Sequence, residues 1–111
     1  MDKPTEEQGE EFWKGCGISF VPKKENMIFG NVKQNHWDLR DHLLYPDGTR
    51  HLEYPSIDLN NLWKYAIPQL CKEYPNWRSI LHDWVDQCTG DYKKDTLALF
   101  WALWEVKEEN E

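Results

Sequence analysis

Three cysteines and four histidines are the side chains of this 111-residue chain best suited to metal or nucleophile chemistry. Structural zinc takes four ligands, usually in close pairs such as C-x2-C, and Cys16, Cys71 and Cys88 have no partner at that spacing. No metal is therefore expected. An odd, widely spaced set of cysteines also argues against a disulfide framework and agrees with a reducing compartment. Cys71 and Cys88 lie on or beside apolar helical stripes, which predicts small buried thiols. Cys16, between Gly15 and Gly17, is in the most open setting of the three.

His36, Asp38, Asp41 and His42 crowd into one short segment, and a histidine near a carboxylate is the raw material of general base catalysis. No Ser or Cys motif such as a nucleophile elbow accompanies it, and a polar strand face explains the same residues. His82 and Asp83 point away from the Trp84 stripe of a predicted helix and read as solvated surface. The glycines are isolated or form only Gly15-Cys16-Gly17, so no phosphate-cradling loop is present. No catalytic residue, metal ligand or cofactor is assigned.

What remains unusual is the aromatic content, with seven Trp and five Tyr. Such rings can stack on bases or build a ligand cage. Trp63, Trp77, Trp84, Trp101 and Trp104 fall on apolar faces of predicted helices, which predicts core packing. Trp13 and Trp37 lie on no helical stripe and are the candidates for an exposed contact. The last helix carries two stripes, Leu97, Phe100, Trp101 and Trp104 on one side and Leu99, Leu103 and Val106 on the other. One stripe must face the fold; the other is covered by neighbouring helices or by a partner. Trp101 and Trp104 therefore join Trp37 and Trp13 as the candidate partner-binding residues.

The elements that must position these side chains follow from pattern. A short helix is predicted over about Thr5–Trp13, anchored by Phe12 and Trp13 and broken by Gly15 and Gly17. Ile18–Val21 and Met27–Phe29 read as strands. Tyr45-Pro46-Asp47-Gly48-Thr49 has the turn chemistry of a hairpin joining His42–Tyr45 to Thr49–Tyr54. Helices follow at about 58–73 with Asp58 as N-cap and Pro68 as a kink, at 77–88 with Asn76 as cap, and at 95–108 with Asp95 as cap. The expected class is α+β: an antiparallel sheet of three or four strands in the N-terminal half, covered by C-terminal helices.

Length and charge bound the rest. The chain suits one core, with an acidic flexible N-terminus at 1–11, a domain at 12–108 and an acidic tail at 109–111. The two ends, 1–11 and 105–111, carry nine acids and two lysines and account for the whole net charge of −7. The body between them is neutral, which disfavours nucleic acid as a partner, since no basic stripe can neutralise phosphates. No apolar run suits a membrane span and the N-terminus lacks the form of a secretory signal, so a cytoplasmic protein is expected.

Two segments resemble a known group. Pro55-Ser56-Ile57-Asp58-Leu59-Asn60-Asn61-Leu62-Trp63-Lys64-Tyr65-Ala66-Ile67-Pro68 and Asp95-Thr96-Leu97-Ala98-Leu99-Phe100-Trp101-Ala102-Leu103-Trp104-Glu105 are similar to the paired helices of small phage and prophage proteins described as a phage ABA-sandwich domain. The resemblance covers about a quarter of the chain. It implies a layered α+β fold, two helices on a small antiparallel sheet, a phage or mobile-element origin and no particular activity. Between the helices its relatives have a strand pair, whereas Trp77–Cys88 here reads as a helix. The expected function is a non-catalytic phage or prophage accessory protein that binds a host protein or itself in the host cytoplasm; the alternative is a small-molecule binder or small enzyme using His36–His42.

Overall fold

The computed structural model describes residues 2–24 and 36–109. Its order is α1 (Glu6–Gly15), β1 (Ser19–Val21), a 3-10 turn (His36–Leu39), β2 (His42–Leu44), β3 (Arg50–His51), α2 (Leu59–Asn61), a π-helical turn (Leu62–Ala66), α3 (Ile67–Glu73), α4 (Trp77–Gln87) and α5 (Tyr92–Glu109). The class is α+β, with one three-stranded antiparallel sheet in the order β1-β2-β3 and helices mostly C-terminal to it. The strand expected at Met27–Phe29 lies outside the described residues.

α1 starts in a capping box. The Thr5 hydroxyl accepts from the Gln8 N–H, and the Gln8 side chain accepts from the Thr5 N–H. The expected boundary at residue 11 falls inside this helix, so Glu6, Glu7, Glu10 and Glu11 are helical and Gly9 is buried. At its C-terminus Gly17, at φ +99°, lets its own N–H reach the Lys14 carbonyl while the Ile18 N–H reaches Trp13 O. This is a Schellman motif, and it folds Ile18 back toward Trp13.

The hairpin forms where the turn residues place it. The Gly48 N–H donates to Tyr45 O, Gly48 sits at φ +87°, and Asp47 accepts from the Thr49 N–H. In the register Phe20 pairs with Leu43 and Leu43 with His51, so these three share one face, while Val21, His42, Leu44 and Arg50 share the other.

Asp58 caps α2 as expected, accepting from the Asn61 N–H at 2.8 Å. Pro68 does not simply kink the helix. With no N–H to give, it is accommodated by a widened turn in which the Ile67 N–H bonds back to Leu62 O, and the rod continues to Glu73. Residues 77–87 are helical, as the periodicity predicts, not the strand pair of the resembling group. Asn76 makes no side-chain cap bond there.

The start of α5 differs from expectation. The helix begins at Tyr92, and it is Asp91 whose carboxylate accepts from the Lys93 and Lys94 N–H groups. Asp95 turns back instead, accepting from the Thr89 N–H and hydroxyl and from the Gly90 N–H. These bonds, the Thr89 N–H first, hold its carboxyl below the usual carboxylate range. Asp95 O also accepts from Trp84 Nε1 at 2.9 Å, which fastens α4 to α5. A depressed folded value contributes stability above the unfolded value of about 4, and that stability is lost as pH falls through the lower folded value. Acid titration followed by Trp fluorescence is expected to show an Asp95-dependent destabilisation below about pH 4 that Asp95→Asn abolishes.

The core gathers Phe12, Trp13, Cys16 and Ile18 from the N-terminus, Leu43 and Tyr45 from the hairpin, Leu62, Tyr65, Ala66, Ile67 and Leu70 from the central rod, and Leu99, Phe100 and Leu103 from α5. Only Leu81 of α4 is buried. The molecule is accordingly long, 59 × 27 × 21 Å, with a Cα radius of gyration of 17.1 Å, against about 13 Å for a compact chain of this size.

Candidate functional site

The four sequence-derived tryptophans occupy three different places. Trp13 is 1% exposed, so the expectation of an exposed contact there is corrected. The Schellman turn drives it into the core, where its ring meets Phe12 at 5.0 Å and Tyr65 at 6.4 Å. Its indole N–H is buried with no acceptor among the described residues. Trp37, half-buried, leans over His42 at 5.3 Å. Trp101 and Trp104 are half-buried on α5, 6.0 Å apart and both against Phe100. Trp101 Nε1 donates to Asp2 O at 2.8 Å, so part of that stripe is covered by the chain's own N-terminal segment.

The tryptophans read as core are less buried than expected. Trp63 is 46% exposed, and Trp77 and Trp84 are partly buried. The cysteines are reversed in the same way: Cys16 is fully buried while Cys71 and Cys88 are exposed. A helical stripe names the inward side of a helix but not the depth of its cover, and α4 and the outer side of the central rod have little cover.

Within the His36–His42 segment, His42 and Asp41 are engaged in the fold. His42 is buried; its Nδ1 donates to Arg40 O at 3.0 Å, which leaves Nε2 to accept from Arg50 Nη1 at 2.5 Å. Asp41 accepts from the Lys23 N–H. A second constellation, which sequence reasoning missed, runs through the hairpin turn. His51 Nε2 lies 2.8 Å from Thr49 Oγ1, which lies 2.6 Å from Asp47 Oδ1. The Thr49 hydroxyl holds the Asp47 carboxyl below its usual range, so Asp47 is ionised and can only accept. Thr49 therefore gives it the proton, and His51 must donate to Thr49. The hydroxyl is a relay in a turn, not an activated nucleophile. The Tyr45 hydroxyl donates to Glu53 O, and burial, then Tyr65, push it up to about 12, so it stays a donor.

A wide concavity lies between α1, the sheet and residues 52–57, with a volume of about 1220 Å³. Gly9 and Trp13 contribute to its α1 wall, and Leu43, Tyr54, Ile57 and Leu97 to its apolar surface. A Cβ at Gly9 would meet Ile57 Cδ1 at 3.5 Å, an ordinary contact, so α1 and Ile57 approach closely here without the position requiring glycine. Phe20 and Leu52, also in its lining, are 59% and 55% exposed. Of the charged residues in the lining, Glu6, Glu10, Asp41 and Glu53 are acidic and Lys3 and Lys14 basic, so among the described residues acids outnumber amines by two to one. Alternation gives no signal for this exposure, because Phe20 shares its strand face with buried Leu43 and Leu52 lies past the end of β3.

Among the described residues no group of three or more His, Cys, Asp or Glu side chains is placed to hold a metal ion, and no helix is long and apolar enough to cross a membrane. Comparison of the chain with protein-family models, with curated proteins and with solved structures found no match.

Proposed function

We propose that this chain is a non-catalytic protein-binding module, a phage or prophage accessory protein acting in the host cytoplasm, whose groove over the sheet takes a partner segment bearing basic and large apolar side chains. The observation that carries the reading is the groove itself: about 1220 Å³, lined by apolar and charged side chains together, with exposed Phe20 and Leu52 and an excess of carboxylates. Small-molecule pockets of about 300–1000 Å³ enclose their ligand; a wider, open groove suits a polypeptide. Exposed apolar side chains beside carboxylates offer a partner burial and steering together. Chemistry at His36–His42, the alternative drawn from the sequence, gains nothing from a His42 ring whose two nitrogens are both engaged.

Selection from a random peptide display library against the intact protein tests this. The recovered peptides are expected to be enriched in Arg or Lys beside aromatic or aliphatic residues. Phe20→Ser with Leu52→Ser is expected to weaken their binding at least about tenfold, the effect of losing interface anchors, while stability shifts by less than about 1 kcal/mol because both side chains are exposed. Peptides without basic residues, or binding indifferent to the double substitution, would remove the groove as the site.

A further inference from the structure

We propose that Cys16 and Lys107 form a covalent modification site, in which a hydroperoxide oxidises the thiol and the lysine amine then captures the sulfur, tying α1 to α5. The two residues are 91 apart in sequence, yet Lys107 Nζ stands 3.1 Å from Cys16 Sγ, 3.2 Å from Phe12 O and 4.7 Å from the centre of the Phe12 ring. The amine is held there by a shaped space. A Cβ at Gly15 would come within 2.8 Å of Nζ, so another residue there would push the flexible amine aside, whereas the glycine leaves it room beside Cys16. The Gly15-Cys16-Gly17 run is thus explained at each position: one glycine admits the amine, the cysteine faces it, and the other glycine makes the turn.

The chemistry balances with one peroxide. Sγ attacks a peroxide oxygen, the O–O bond breaks, and the thiol becomes a sulfenic acid while the hydroperoxide is reduced to its alcohol, or hydrogen peroxide to water. The Lys107 nitrogen, having lost its ammonium proton to solvent, attacks the oxidised sulfur. An S–N bond forms, the S–O bond breaks, and the hydroxyl leaves as water with a proton from the nitrogen. A nucleophile already beside the sulfur gains the large advantage of an intramolecular reaction over any thiol from solution. Burial pushes the Cys16 thiol up and Lys107 opposes that, so the first step is slower than oxidation of exposed Cys71 and Cys88. Selectivity resides in the second step.

The test uses the full chain with Cys71→Ser and Cys88→Ser, treated with hydrogen peroxide, digested without reductant and mapped by mass spectrometry. The expected result is one cross-linked peptide pair joining Cys16 to Lys107, lost on addition of a thiol reductant and absent from Lys107→Arg, which keeps the positive charge but has no primary amine. Because the cross-link is read in the protein that retains Lys107, the test stands even if the arginine variant folds poorly. Conversion of Cys16 to sulfinic or sulfonic acid with Lys107 unmodified, a bond to a backbone nitrogen instead, or a thiol that stays unoxidised would overturn the proposal.

Discussion

Replacing Trp13 by alanine will lower the unfolding free energy by about 3–5 kcal/mol, whereas the same change at Trp63 will shift it by no more than about 1 kcal/mol. Trp13 is 1% exposed and lies between Phe12 and Tyr65, so its removal empties the centre of the core. Trp63 is 46% exposed and rests on one side against Trp84, 6.3 Å away, so its removal opens no enclosed cavity. Trp13→Phe is expected to be milder than Trp13→Ala. It gives up part of the ring volume but also removes an indole N–H that is buried without an acceptor, a group that costs about 1–3 kcal/mol when left unpaired. Urea unfolding of the three variants beside the wild type measures all of this. Equal losses at Trp13 and Trp63 would mean that the core is not where the burial places it.

The second large effect is expected where the two ends of the chain meet. Phe12 of α1 and Phe100 of α5 stand 4.7 Å apart, and both are essentially unexposed. Each alanine substitution is expected to cost about 3–5 kcal/mol. Because the rings share one site, the double substitution should cost less than the sum of the singles, with a coupling of about 0.5–3 kcal/mol. Chemical unfolding of the two single variants and the double variant completes the cycle. Additive losses would show that α1 and α5 are stabilised independently.

These two predictions also mark what the sequence makes legible. The helices at 59–73, 77–87 and 92–109 and the Pro46-Asp47-Gly48 hairpin follow from periodicity and turn chemistry, because both are local properties of the chain. The depth of burial does not. It depends on which element covers which, and the stripe of α4 reads as core although only Leu81 is buried. Phe12-Trp13-Lys14-Gly15-Cys16-Gly17-Ile18 shows no period because it enters the core through a helix end and a turn. Its signal was of another kind: a glycine two residues past the helix end, with an apolar residue after it and another four before it, is the signature of a Schellman turn with its hydrophobic contact. For α5, Asp91 and Asp95 compete for the capping role, and only the backbone path after Gly90 decides that Asp91 takes it. The groove was not legible in the sequence, since Phe20 shares its strand face with buried Leu43, Leu52 lies past the end of β3, and the α1 wall opposite them is a tertiary fact.

The central claim is that the groove over the sheet is the binding surface, and an amide chemical-shift titration of isotope-labelled protein with a selected basic-apolar peptide tests it most directly. The expected result is saturable shifts confined to Lys3–Lys14, Ser19–Val21, Asp41–Leu43, Leu52–Ile57 and the turn of α5 around Leu97, with α5 beyond Phe100 unmoved. Shifts centred on Trp101 and Trp104, with the α1 and 52–57 walls silent, would contradict the account and move the binding surface to α5.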